Sequence, residues 1–396
     1  MQMLAYKFRA YPSKVRQAIL DRQMQLAKSL YNTLLEKSLQ HYKETKKTFT
    51  RYEMNKWITQ IKRENPEFKS MHSQVLQNVA DRVSKSYNNF FCRIRARKTG
   101  KKLKVGFPRY KSYVSSLTYP QFGFRMSRKT AQLSGVGSIN FVNHREIQGK
   151  SKTLTIKKAK SGEWYITISA ETEAAPVPSN KKTEVGIDLG LRDYTTLSNG
   201  IKIQNPRLLD KSLNKLRKAQ RGLSRRKKGG KNRRKAALKV ARISEGISRQ
   251  RNDFLHKLSH NLVNSYSFIA YEKLNIKGMA GNHHLARSIN DASWSHFIQY
   301  LCYKAESAGC KVVGVNPRNT TKTCSKCGNV QNIELSERTF NCKNCGMSMD
   351  RDLNAAINIL STAGHAGSYA LGDLPSTSKT VDARRVVELG TTYNRI

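Results

Sequence analysis

Apolar positions alternate along some parts of the chain and recur every three to four residues along others. Residues 3–11 alternate as a short strand does, and helical periodicity follows in three stretches between residues 12 and 97. From 105 to about 178 the pattern returns to short alternating strands. We therefore expect a β-rich region whose first strand is separated from the others by inserted helices.

The second half of the chain predicts a mixed α/β domain. It starts with three strands that an Asn199-Gly200 turn helps to arrange as an antiparallel meander. A long helical stretch follows from about 208 to 264, broken at Gly229-Gly230, and leads into alternating apolar strands and helices. The predicted strands cover 185–189, 194–198, 201–204, 267–272 and 311–316, and the last helix covers 352–360.

Charge narrows the choice of partner. The 396 residues include 73 Lys and Arg against 27 Asp and Glu, a net charge of +46, which indicates a polyanion and most often nucleic acid. An anionic membrane surface is the alternative, but no amphipathic or lipidated anchor is evident. Neither a transmembrane run nor a signal-peptide core is found, so we expect a cytoplasmic protein.

Four cysteines have the spacing of a metal site. Cys324 and Cys327 form one C-x-x-C-G knuckle, Cys342 and Cys345 form a second one, and fourteen residues separate Cys327 from Cys342. Four thiolates at this spacing suit a closed tetrahedral zinc site with a structural role. A redox pair or incidental surface thiols are the alternatives. The remaining cysteines, Cys92, Cys302 and Cys310, are expected in apolar core positions.

Carboxylates interrupt segments that should be buried. Asp188 lies inside the apolar strand VGIDL, and Glu272 closes the apolar strand SFIAYE. Asp350 and Asp352 stand at the start of the last helix, where either could be a simple N-cap. Carboxylates that converge repel one another unless cations lie between them, and two Mg²⁺ ions in such a cluster serve phosphodiester cleavage. The acids therefore predict a magnesium site.

The order of these features resembles a known family. GIDLG on a first strand, Glu272 on a later strand and DRDLNAAINI after the cysteine knuckles are similar to the three parts of a RuvC-type, RNase H-like nuclease. With the zinc ribbon before the third part, the chain resembles TnpB, the RNA-guided nuclease of IS200/IS605-type insertion sequences. TnpB is related to the compact type V CRISPR effectors. The other segments that carry the resemblance are YKFRAYPSKVRQ, GFPRYK, SLTYPQF, QRNDFLHKLSHNLV and SWSHFIQYLCYKAESAG.

The resemblance implies a catalytic triad and a domain plan. Its third acid lies two residues before Asn354, so the triad becomes Asp188, Glu272 and Asp352, with Mg²⁺ as cofactor. The implied plan combines an α/β RNase H-like (RuvC) domain that contains the zinc ribbon with an N-terminal β-barrel wedge domain that carries a helical recognition insert. Its expected ranges are wedge 1–10 and 105–180, recognition 11–104, RuvC 181–319 and 348–362, ribbon 320–347, and a flexible tail 363–396.

The implied function is that of a transposon-encoded RNA-guided DNA endonuclease. A guide RNA from the transposon end would direct cleavage of double-stranded DNA beside a short flanking motif. One protein chain is expected per guide RNA, in a bacterial or archaeal cytoplasm and on the nucleoid when DNA is bound. No membrane and no small-molecule substrate are expected.

Basic residues supply candidate phosphate contacts. Between Lys215 and Arg242 there are fourteen Lys or Arg and no acid, which favours nucleic acid over a merely solvated face. Three recognition-helix residues, Tyr52, Gln74 and Gln77, are candidates for the flanking DNA motif. The phosphate candidates at the centre of the basic stretch are Arg225, Arg226, Lys227, Lys228, Lys231, Arg233, Arg234 and Lys235.

Other functions remain as alternatives. An RNA-guided DNA-binding repressor or transposition-regulating protein would not cleave, but the three acids argue against it. A transposase of the HUH kind would need two histidines around one apolar residue, whereas His283 and His284 are adjacent. A simple zinc-ribbon DNA-binding protein would leave the buried acids unexplained.

Overall fold

The structure is a computed structural model that describes residues 2–47, 49–100, 102–173, 183–334, 336–364 and 379–381. The chain divides into two compact units, Met1–Ala174 and Ala175–Ile396. Among the described residues, no helix is both long enough and apolar enough to cross a membrane.

The first unit contains a seven-stranded antiparallel sheet in the order β2-β6-β7-β1-β5-β4-β3. Its edge strands, β2 and β3, follow each other in the chain with three residues between them, so the sheet must curl to bring the end of β2 close to the start of β3. This nearly closed sheet agrees with the expected barrel. The strands are β1 Gln2–Tyr11, β2 Ser116–Pro120, β3 Phe124–Met126, β4 Thr130–Leu133, β5 Gly137–Phe141, β6 Lys150–Lys158 and β7 Trp164–Thr172.

Helices are inserted between β1 and β2, as the periodicity predicts. Ser13 caps the first helix by accepting a hydrogen bond from the Arg16 amide, and Thr50 with Glu53 forms a capping box on the second. Buried residues of the helices and of the sheet form one continuous core. The helices are α1 Lys14–Thr45, α2 Arg51–Glu64, a 3-10 turn Pro66–Ser70 and α3 Ser73–Lys98.

The second unit contains a mixed sheet in the order β12-β11-β8-β9-β10-β15. β8, β11 and β12 are parallel, β9 is antiparallel to both its neighbours, and β10 pairs in parallel with β15. A separate hairpin is formed by β13 and β14. The strands are β8 Glu184–Leu189, β9 Asp193–Leu197, β10 Ile201–Gln204, β11 Phe268–Glu272, β12 Lys311–Val315, β13 Thr339–Asn341, β14 Ser348–Asp350 and β15 Lys379–Val381.

β15 belongs to the C-terminal segment that the sequence predicts as a flexible tail. Its three residues pair with Ile201–Ile203, an alignment that sequence patterning did not indicate. Residues 365–378 and 382–396 of this segment lie outside the described residues.

Helices cover both faces of the second sheet. Ile269 of β11 belongs to a core with Phe254, Leu258 and Phe297, whereas Phe268 and Ala270 pack with residues of the last helix. Because side chains alternate along a strand, these contacts assign even-numbered β11 residues to the face of that last helix. The helices are α4 Leu208–Ser224, α5 Lys231–Ser265, α6 Ile276–Met279, α7 His283–Ala292, α8 Trp294–Ala308 and α9 Arg351–Thr362.

Candidate functional site

Asp188 and Glu272 lie at the same level on neighbouring strands. β8 and β11 pair in parallel up to Ile187 and Tyr271, so the next residue of each strand is an acid. Val185 and Ile187 point into the core with α5 and α8, and Asp188 therefore points to the opposite face. By the same alternation, Glu272 shares the face of Phe268 and Ala270. Both carboxylates thus face α9.

A glycine brings α9 close to β8. A Cβ at Gly186 would lie 2.1 Å from the Ala356 carbonyl oxygen and 2.9 Å from the Leu360 nitrogen, so any side chain there would push the helix away. Asp352 occupies the first turn of this helix. Gly186, the first glycine of GIDLG, therefore allows the close packing that places Asp352 beside Asp188.

Asp350, two residues earlier, is committed to holding the helix start. Its Oδ1 accepts hydrogen bonds from the amides of Asp352 and Leu353, both at 3.1 Å, which makes it the N-cap of α9. Its Oδ2 accepts a 2.6 Å hydrogen bond from Nζ of the buried Lys202. The cap of this helix is Asp350, which leaves Asp352 for another role.

The electrostatics of Asp188 reflect this convergence. Burial raises the pKa of Asp188 well above its ordinary value, and the nearby carboxylates of Glu272 and Asp352 raise it further, with Arg351 opposing them. Burial also raises the pKa of Glu272, whose Oε1 accepts a hydrogen bond from the Thr320 hydroxyl that acts in the opposite direction. Glu272 and Asp352 are therefore near enough to Asp188 to disfavour its charged form.

These side chains fit a hard divalent cation. Carboxylate oxygens are the ligands that Mg²⁺ takes, and a cation between the acids would relieve their repulsion. Arg351 Nη2 lies 3.4 Å from Asp352 Oδ1 and supplies part of the compensating charge. The acids do not form as tight a group as the cysteines do, since the described residues contain one set of ligand atoms all within 4.8 Å of one another, the four thiols.

The four cysteine sulfurs have the spacing of a tetrahedral metal site. Sγ of Cys324 lies 3.7 Å from Sγ of Cys345, and Sγ of Cys327 lies 3.6 Å from Sγ of Cys342. Sulfurs bound at ~2.3 Å to a tetrahedral zinc would stand ~3.8 Å apart. The cluster is therefore compatible with a zinc ribbon.

The knuckles are folded to hold thiolates. Gly328 and Gly346 have positive φ angles of 75° and 68°, which favour glycine at the turn of each knuckle. Hydrogen bonds from backbone amides, that of Cys345 first, lower the pKa of Cys342 to about 6. Backbone amides donate to all four sulfurs and favour the thiolate form that a metal needs, whereas burial acts in the opposite direction and raises the pKa of Cys324 to about 12.

The core prediction for the other cysteines is wrong in two cases. Cys310 is buried, whereas Cys92 on α3 and Cys302 on α8 are exposed. Each lies on the solvent side of an amphipathic helix, and apolar neighbours in sequence do not share a face in a helix.

The central basic residues lie at the tip of a helical hairpin. α4 and α5 are joined by residues 225–230, and the side chains of this tip are mostly exposed. Arg233 differs, because its Nη1 donates to the carbonyls of Leu223 and Arg226 at 2.9 and 3.0 Å and so closes the C-terminus of α4. The exposed members are Arg225, Arg226, Lys227, Lys228, Lys231, Arg234 and Lys235.

The recognition-helix candidates are placed differently from one another. Tyr52 on α2 is 69% exposed, with Lys56 Nζ 4.8 Å from its ring centre. Gln77 on α3 is exposed, whereas Oε1 of Gln74 accepts a 2.9 Å hydrogen bond from the Phe122 amide. Tyr52 and Gln77 are available to a partner, and Gln74 already holds a loop of its own unit.

Three sequence families match successive parts of the chain. The family described as "Probable transposase", the OrfB type of IS605, matches residues 167–283, and a "Cas12f1-like, TNB domain" matches residues 294–359. A "Helix-turn-helix domain" of the OrfB type matches residues 1–47. In this structure that segment consists of β1 and the long α1.

Relatives match over nearly the whole chain. A "Putative RNA-guided DNA endonuclease" of Streptomyces pristinaespiralis is 33% identical over 379 residues, which cover 93% of this chain and 91% of the relative. The "Putative RNA-guided DNA endonuclease InsQ" of Escherichia coli K12 is 28% identical, with coverage of 92% and 93%. This chain belongs to the TnpB family, the OrfB proteins of IS605-type elements.

A solved structure shares the fold. The protein chain in the cryo-EM structure of a Cas12f1-sgRNA-target DNA complex aligns with a TM-score of 0.56 at 12% identity, covering 90% of this chain and 98% of that one. The family resemblance that the motifs predict is therefore confirmed, together with a Cas12f-like fold of mixed α/β content.

Proposed function

We propose that this protein is an RNA-guided DNA endonuclease that cleaves at an RNase H-like, RuvC-type site formed by Asp188, Glu272 and Asp352. The observation that carries the proposal is that two acids at the same level of β8 and β11 face the helix whose first turn holds the third. A three-strand meander extended by two parallel strands is also what an RNase H-like domain would present.

The three acids divide the work among fixed elements. Asp188 and Glu272 sit on a buried sheet and Asp352 on a capped helix, so their carboxylates are held before substrate arrives. A pair of Mg²⁺ ions bound among them would supply an activated water and stabilise the leaving oxygen. The protein's own contribution is to keep three mutually repelling carboxylates in place, which makes the site ready for cations and a phosphate.

Guide and target would be held elsewhere in the chain. Relatives are named RNA-guided DNA endonucleases, and the Cas12f1 structure holds a guide RNA and target DNA. We assign phosphate contacts to the exposed cations of the α4–α5 tip, which give affinity without sequence choice. Guide pairing would choose the target, a short flanking motif would be read by residues such as Tyr52 and Gln77, and one chain would serve one guide in the cytoplasm.

A guide-directed binding protein without cleavage is the second candidate. It would need the same basic surface but no carboxylate cluster. Burying Glu272 and raising the pKa of Asp188 disfavours their charged forms, a cost that a purely binding protein has no reason to keep. The acids therefore favour the nuclease.

The test is to remove one carboxylate at a time. Asp188→Ala should lower DNA cleavage in Mg²⁺ by ~10³-fold or more while leaving guide-RNA and target binding nearly unchanged, as expected for residues that act as one unit. Glu272→Ala and Asp352→Ala should behave alike, and a double variant should lose no more than a single one. Cleavage rates and target affinity are measured on the same guide-loaded preparations.

Asp350→Asn is the matched control on the same helix. It keeps the side-chain oxygen that caps α9 and loses the charge next to Lys202, so it should cut DNA while melting at a lower temperature. If Asp352→Ala cleaves DNA normally and Asp350→Asn does not cleave, the third catalytic carboxylate is Asp350 and not Asp352. Normal cleavage by Asp188→Ala would reject the site.

A further inference from the structure

Glu272 has a hydrogen-bond donor from outside the sheet. The Thr320 hydroxyl donates to Glu272 Oε1, and the two residues are only 5% and 7% exposed. Thr320 lies between β12 and the first cysteine knuckle, in a segment where sequence motifs give it no role. A carboxylate offers about four acceptor positions, so one hydroxyl fixes its orientation and leaves the others open.

The main chain around Thr320 is tied to α9 by two asparagines. Nδ2 of Asn358 donates to the carbonyls of Thr320 and Thr323, at 2.8 and 2.7 Å. Asn354, one turn earlier, donates to the Thr323 carbonyl at 2.7 Å and accepts from the Ser325 amide at 2.9 Å. Ser325 lies inside the first knuckle, between the metal-site cysteines.

These hydrogen bonds connect α9, the base of the first cysteine knuckle and Glu272 on β11. α9 carries Asp352 at its start, grips the base of the first knuckle through Asn354 and Asn358, and so holds the segment whose Thr320 reaches Glu272. Both asparagine side chains are buried, where an amide left without a hydrogen-bond partner is costly. These bonds hold the segment of Thr320 against α9.

We propose that Thr320 is a positioning residue for Glu272, and that Asn358 couples it to the four-cysteine ribbon through α9. The proposal rests on the function proposed above. Hydrogen bonds from the surroundings of a metal site orient its carboxylates, and losing one typically costs ~10–100-fold in metal affinity or activity. The folded base of the ribbon would then help to position Glu272 in the carboxylate site.

The test replaces the hydroxyl but keeps the shape. Thr320→Val should raise the Mg²⁺ concentration for half-maximal cleavage by ~10-fold or more, whereas Thr320→Ser should restore it. Mn²⁺ binding to the full-length protein without RNA, taken as the difference from Asp188→Ala, should weaken in parallel. Zinc content should stay at one ion per chain. The neighbouring exposed Thr321→Val is the control and should change neither quantity.

Asn358→Ser tests the coupling independently. It should shift the Mg²⁺ requirement in the same direction, and the double variant with Thr320→Val should be no worse than the stronger single one, because both act on one network. Zinc content and melting temperature would reveal whether Thr320→Val fails to fold. In that case the proposal is decided by comparing the Mg²⁺ requirement and Mn²⁺ binding of Asn358→Ser with those of the wild type. Unchanged Mg²⁺ dependence and Mn²⁺ binding in these variants would overturn the proposal.

Failure of this proposal is distinct from failure of the nuclease proposal. If Thr320→Ser is as defective as Thr320→Val, the hydroxyl is not what matters and the positioning role is wrong, although Asp188→Ala would still abolish cleavage. If Asp188→Ala retains cleavage, the carboxylate site itself is wrong, whatever the Thr320 variants do.

Discussion

The carboxylate site and the four-cysteine ribbon both contact α9, yet they are built in opposite ways. The thiols lie at the mutual distances of a tetrahedral site, with backbone amides aimed at all four of them. The carboxylates sit on three separate elements, and the pKa of Asp188 is raised first by burial and then by repulsion from Glu272 and Asp352. A set with four ligands already in place suits a permanent structural ion, whereas a looser set of acids suits cations that share their ligands with a substrate.

The largest effect should come from removing one of the four thiols of the cysteine site. Cys342→Ser should lower zinc from one ion per chain to well below one and should unfold the ribbon, because structural zinc contributes ~10 kcal/mol or more to folding in small zinc domains. Zinc analysis and thermal denaturation of the same preparation measure both. Cys92→Ser, which removes an exposed thiol from α3, is the control. Normal zinc content and melting in Cys342→Ser would place the structural ion elsewhere.

An intermediate effect should come from separating the two elements that hold the acids. Optimal contact with a carbon is ~3.5–4.0 Å, so the 2.1 Å approach in Gly186→Ala forces α9 away from β8 by more than ~1 Å. Misplacement of that size can cost ~10²-fold in rate, with ~1–3 kcal/mol of stability from overpacking. Cleavage should fall that far with zinc content and guide binding retained.

Gly246→Ala is the matched glycine control. Its Cβ would meet nothing within 4 Å, and it lies inside α5, where alanine is the better helix former by ~1 kcal/mol. It should be neutral or slightly stabilising. A Gly186→Ala protein that cuts as fast as wild type would show that the distance between α9 and β8 is not what aligns Asp352 with Asp188.

The sequence predicts the elements of both sites well because each has a strong local signal. The strands around Asp188 and Glu272 and the helix after Asp352 begin and end within one or two residues of their predicted positions. Sequence also predicts the thiol spacing, since ligands and turn glycines are adjacent. The direction in which the Asp188 side chain points follows from one further step. Side chains alternate along β8, so Asp188 lies on the opposite face from Val185 and Ile187.

What the sequence could not supply are partners brought together by tertiary packing. Thr320 and Lys202 carry no motif, and their roles depend on segments 48 and 148 residues away. Asn354 and Asn358 did offer a signal, two polar residues at i and i+4 within the apolar run of α9. Asp291 is a further case, since its Oδ2 accepts a 3.0 Å hydrogen bond from the Leu209 amide at the start of α4, 82 residues away in the chain.

The smallest effect concerns the affinity for guide RNA, which depends on neither the carboxylate site nor the four-cysteine ribbon. Replacing Arg225, Arg226, Lys227 and Lys228 with Gln should lower the slope of log affinity against log salt by ~0.7–0.9 per lost contact, while the cleavage rate at saturation stays the same. Guide-RNA binding between low and high salt measures it. Arg249→Gln with Lys257→Gln is the control, because those cations pair with Glu245 and Asp253 on the same helix. An equal slope in the fourfold variant, or a lower slope in Asp188→Ala, would break the separation between affinity at the α4–α5 tip and chemistry at the carboxylates.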